Sequence, residues 1–256
     1  MKKKNNKNPF LKINLKKWKP FIAFIFVAAF LSISWSASDQ YIEVKTIPLK
    51  KFLNTSLDWH VTAYNIKEGE GTTFTTTNTP AKICFWNDIR RKEDLCSKAE
   101  EGPSAFPQVK ELSLVELEKD REPKFGILFV STRYGAVEPL HLISIWAYNH
   151  KETRFENILT PLRLNTQGEY KFIRLTSRRQ KLIFVTANRI WMGGGEALYG
   201  PHKFVISIYD LTESGVFKIV EKYITERRYP SLEDVRDIDV ISHELKKIED
   251  YLPVKK

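Results

Sequence analysis

Cysteine is nearly absent from this chain: its 256 residues hold only two, Cys84 and Cys96. Two cysteines exclude a disulfide-dense mini-protein, in which bridges replace a core. Glycine (11) and proline (12) are also sparse, which excludes collagen-like and low-complexity classes. The first 38 positions contain no acidic residue and no arginine, only eight lysines. Beyond them no apolar run approaches the roughly 20 residues that a spanning helix requires. What the chain does have is 42% hydrophobic residues, enough for a sizeable core.

The formal net charge of +10 invites a nucleic-acid reading, but its distribution argues against one. With the eight N-terminal lysines set aside, 33 basic residues face 31 acidic ones, a net of +2 for residues 39–256. The lysines precede an apolar stretch, Phe21–Ile33, and the small residues Ser36 and Ser38. A basic start, an apolar stretch and small residues at the −3 and −1 positions describe a secretory signal peptide over residues 1–38. The mature chain then begins at Asp39 and is periplasmic or secreted. The alternative is an uncleaved signal anchor, which would be the protein's only membrane contact. In an oxidising compartment, Cys84 and Cys96 are expected to form a structural disulfide. Nucleic acid is not expected as a partner, and no cofactor is implied.

Residues 39–256 read as one β-rich domain with an internal repeat. Ile127-Leu128-Phe129-Val130-Ser131 recurs 55 residues later as Leu182-Ile183-Phe184-Val185-Thr186. Downstream, Leu142–Trp146 is matched by Val205–Tyr209, and each leads through a polar turn to a run starting at Phe155 or Phe217. A fainter copy runs through Trp59–Tyr64, Ala81–Trp86 and the segment around Cys96. The expected units are therefore 57–117, 124–176 and 180–226. The pieces are short, β-branched and aromatic, and bounded by turn residues, so they are expected as strands. Nearly continuous apolar cores imply burial on both faces, as in a stack of sheets. Further strands are expected at Tyr41–Ile47, Val109–Leu117 and Glu169–Leu175.

The fold class expected is mainly β, with antiparallel meander repeats arranged like propeller blades or a sandwich, and one C-terminal helix at 231–252. Its apolar residues Leu232, Val235, Ile238, Ile241, Leu245, Ile248 and Leu252 recur at helical spacing. Ser242 is an alternative cap for a shorter helix, with Val235–Ile241 extended.

No catalytic signature is complete. There is no G-x-S-x-G elbow, and His243-Glu244 has Lys247 where a zincin helix needs its second histidine. No catalytic residue and no metal site are assigned on this basis. The most unusual segment, Trp191–His202, holds four of the eleven glycines together with Glu196, Tyr199 and His202. The equivalent loop of the preceding copy carries Tyr134, Gly135, Glu138 and His141. Matching Glu and His suggest a ligand site between neighbouring copies, although glycine-rich connections are mostly turns. Trp59, Trp86, Trp146 and Trp191 offer stacking faces but at strand positions more often fill a core.

These features describe an exported, non-enzymatic β-domain that binds an unknown protein or a small polar ligand. The alternative is an envelope hydrolase or metal-dependent enzyme using the Glu and His of the two loops. A third reading is a domain that only packs within a larger assembly.

Overall fold

The protein was analysed as a computed structural model that describes residues 41–67, 79–89, 95–98, 105–118, 124–134, 139–165, 167–174, 182–190, 200–230 and 239–251. The expected signal segment 1–38 lies outside the described residues, as do Gly135, Glu138, Trp191, Glu196 and Tyr199.

Among the described residues, twelve strands form three four-stranded sheets. The first contains β1 (Tyr41–Pro48), β2 (His60–Ile66), β3 (Lys82–Trp86) and β4 (Cys96–Lys98). The second contains β5 (Gln108–Glu118), β6 (Lys124–Tyr134), β7 (Pro139–Asn149) and β8 (Arg154–Leu164). The third contains β9 (Glu169–Ile173), β10 (Ile183–Arg189), β11 (Phe204–Leu211) and β12 (Phe217–Ile224). Within each sheet, sequence neighbours pair in order. The repeated pieces are the second, third and fourth strands of the sheets, and the further expected strands open them. The fold is thus mainly β, built from antiparallel meanders, and no sheet closes into a barrel.

Alternation along a strand sends neighbouring side chains to opposite faces. On β6, Ile127 and Phe129 pack with Trp59, Val61, Ile83 and Phe85 of the first sheet. Leu128 and Val130, between and beyond them, pack with Phe184, Tyr209 and Phe217 of the third. The second sheet is therefore the middle layer. On β10 the same alternation turns Ile183, Val185 and Ala187 toward the C-terminal helical segment. An apolar run with no polar alternation is what such two-sided burial requires.

The helical segment consists of α1 (Val240–His243) and α2 (Leu245–Tyr251). Residues 231–238 of the expected 231–252 helix, and Leu252, are not among those described. The helix start proposed for Ser242 is corrected. Asp239, in the left-handed region at φ 47, is the N-cap, and Ser242 donates its backbone N–H to that carboxylate. Glu169 on β9 adds a long-range cap, accepting the N–H groups of Val240 at 2.9 Å and Ile241 at 3.2 Å. Lys171 pairs with Asp239 from the same strand. Val240, Ile241 and Ile248 are fully buried against β10 and β11.

Candidate functional site

Two of the five candidate site residues, His141 and His202, fall among the described residues, and each faces a cation. His141 lies on β7 beside Thr132 and Leu164 in register. Its Nε2 is 2.8 Å from Lys110 Nζ. Burial holds the imidazole well below its ordinary value of 6.5, down to about 4, and the Lys110 charge pushes the same way. Burial also lowers the Lys110 amine, opposed by Glu111. A neutral imidazole accepts from an ammonium through this Nε2. Next to them, Tyr170 donates its hydroxyl to Glu111 at 2.7 Å, and burial together with that carboxylate raises the phenol.

His202 is buried and forms a backbone bridge with Tyr229. Its Nε2 meets the Arg189 guanidinium on β10. Arginine has no acceptor, so the imidazole nitrogen must accept there. The two histidines therefore present their lone pairs to different cations, an arrangement opposite to metal ligation. Among the described residues no group of three or more His, Cys, Asp or Glu is placed to hold a metal ion.

The depressed His141 has a consequence for pH. The unfolded chain takes up a proton here below about pH 6.5, whereas the folded chain does so only below about 4. Stability is unpenalised above the higher value and falls progressively as the pH drops through this window. Urea midpoints measured across it should show His141→Gln declining less steeply than the parent. Equal slopes would show that this imidazole does not differ between the two states.

A cleft lies elsewhere, between the first and second sheets. It encloses about 330 Å3 and is lined by Ile83 of β3, Ser97 and Lys98 of β4, Phe129 and Ser131 of β6, and Leu142, Ser144 and Trp146 of β7. Asn157, Pro161 and Arg163 of β8 complete the lining. Strand length accounts for its presence. At the usual rise per residue, the three residues of β4 span about 10 Å and the eleven of β8 about 36 Å, so the first sheet cannot cover the second fully.

The walls are held firmly. Cys84 and Cys96 face each other in register and form the expected disulfide, which fixes β4 on β3. Trp146 donates its indole N–H to Ser144 Oγ at 3.0 Å, and its ring lies 5.4 Å from that of Phe85. Asn157 accepts the N–H of Leu159 at 3.2 Å. Ser131 is fully buried, and its hydroxyl has no hydrogen-bond partner among the described residues. His141 is turned away: alternation places it on the face of β7 shared by Ile143 and Ile145, opposite Leu142 and Ser144.

No family model and no curated protein matches this chain. Among solved structures it is similar to the crystal structure of CarG, at 12% identity and a TM-score of 0.33. That likeness covers 50% of this chain and 91% of the other, and it is too slight to bear on function.

Sequence reasoning placed Trp146 and Cys84–Cys96 but did not connect them with a site. The available signal was the polar serine at alternate positions of otherwise apolar strands, Ser131 on β6 and Ser144 on β7. Only the stacking order of the sheets shows that both face the same gap.

Proposed function

We propose that the protein is an exported, non-catalytic binding module whose ligand site is the cleft between its first and second sheets. The cleft carries this reading. Its volume falls at the lower end of the range for small-molecule sites, about 300–1,000 Å3, and it combines an apolar floor with a few polar groups. Export is supported by the lysine-rich start followed by an apolar stretch, and by the disulfide. Among the described residues no helix is long and apolar enough to cross a membrane.

Native mass spectrometry of the full chain purified gently from its producing cells tests this function. The expected result is a non-covalently bound small molecule that is absent from Ser97→Trp, because an indole on β4 fills the gap. An equal ligand load on both proteins, or none on either, contradicts the proposal. Thermal unfolding of the variant confirms that the filled cleft has not simply unfolded the domain.

A further inference from the structure

The fold leaves one hydroxyl of the cleft buried and unanswered. Ser131 lies two residues beyond Phe129 on the same face of β6 and opposite Leu142 of β7 in register. It is fully buried, and among the described residues it is the one lining residue whose buried polar atom has no hydrogen-bond partner. Its polar neighbours on the second sheet are engaged. Ser144 accepts the Trp146 indole N–H at 3.0 Å, and the Asn157 amide oxygen accepts the Leu159 N–H at 3.2 Å. A hydroxyl enclosed without a partner destabilises a fold. Alanine would occupy the same space without that cost, so a partner from outside the chain accounts for the hydroxyl at this position.

The geometry points to a neutral, flat molecule of about two fused rings, with one hydroxyl or carbonyl that hydrogen-bonds Ser131 Oγ. Flatness follows from the walls. Ile83 comes from the first sheet and Phe129, Leu142 and Trp146 from the second, and sheets stacked face to face lie about 10 Å apart, so the space between them is a slot. The indole wall is fixed, held by Ser144 on one side chain contact and by the Phe85 ring on another. Size follows from volume. A cavity of about 150 Å3 takes one benzene ring, and the cleft encloses about 330 Å3. Rings there leave water for apolar walls, which drives binding. Neutrality follows from depth. An ionised group brought down to Ser131 would lose its hydration in exchange for a single hydrogen bond, whereas a hydroxyl or carbonyl loses far less. The serine can donate to either and can also accept from a hydroxyl. This ligand class rests on reading the cleft as the ligand site.

Equilibrium dialysis of the purified full chain against naphthalene, 2-naphthol and 2-naphthoate at pH 7 tests the assignment. 2-Naphthol should bind about fivefold more tightly than naphthalene, the gain that one hydrogen bond gives, and 2-naphthoate more weakly than both. In Ser131→Ala the affinity for 2-naphthol should fall to the level of naphthalene. The ligand-free variant should melt no lower than the parent, because the hydroxyl serves the ligand and not the fold. A preference for 2-naphthol that survives the substitution, a 2-naphthoate affinity equal to that of 2-naphthol, or a lower melting temperature overturns the assignment. If none of the three binds but the molecule carried from the producing cells still leaves on Ser97→Trp substitution, this ligand class fails and the cleft remains the site. If the three bind Ser97→Trp as tightly as the parent, or if neither they nor a carried molecule bind the parent, both readings fail.

Discussion

Phe184→Ala should cost about 3–5 kcal/mol, the usual range for removing a fully buried phenylalanine ring. Phe184 is fully buried near the start of β10, where it faces the second sheet. Its ring centroid is 4.9 Å from Phe172 and 5.8 Å from Tyr209, with Phe217 slightly farther at 6.2 Å. Leu128, Val130, Ile143 and Ile145 lie in the same cluster. The ring therefore packs with residues of five other strands across two sheets, and rigid strand backbones cannot close in on the space it leaves. In a domain of this size each kcal/mol shifts the melting temperature by about 2–4 °C, so a fall on the order of 10 °C is expected. Ile219→Ala on β12 of the same sheet is the control. Ile219 is 54% exposed, and its loss should change stability by less than about 0.5 kcal/mol. Similar costs for the two variants would contradict the stacked arrangement of the sheets.

The same residue shows what the sequence made legible. Leu182–Thr186 could be recognised as a strand buried on both sides because a solvent-facing strand would have alternated with polar residues. Ile183 and Val185 indeed face one way and Phe184 the other. The disulfide was legible from a single pair of cysteines in a chain whose start reads as an export signal. The beginning of the helical segment was not. Ser242 has the chemistry of a cap, but Glu169 and Lys171, some 70 positions earlier, supply the carboxylate and the charge that fix Asp239 and the first turn. What the candidate histidines face was hidden for a similar reason. Lys110 lies 31 residues before His141, and Arg189 reaches His202 from the neighbouring strand. A histidine's role depends on what faces its lone pair, and pairing between strands decides that. The cleft was hidden for a geometric reason. Ser131, Ser144, Ser97 and Arg163 share it only because the second sheet lies over the first with a short strand at its edge.

That short strand makes Cys84→Ala/Cys96→Ala the most informative substitution. Removing a bridge that closes a loop of twelve residues' separation should lower stability by about 3 kcal/mol on the chain-entropy estimate. The effect on binding should exceed what global destabilisation alone produces. β4 consists only of Cys96, Ser97 and Lys98, pairs with a single neighbour, and its register partners are Cys84, Ile83 and Lys82. Without the bridge, three residues of edge pairing must hold their register unaided, and such short pairings are marginal. Ser97 and Lys98 would leave the cleft together, removing one of its walls. The load of bound small molecule read by native mass spectrometry should therefore fall at a temperature where circular dichroism still reports the folded sheets, and reduction of the native protein by dithiothreitol should reproduce the loss. A bridge-free variant that carries the same ligand load as the parent while melting lower would separate the two roles, leaving the disulfide a staple and placing the ligand away from β4.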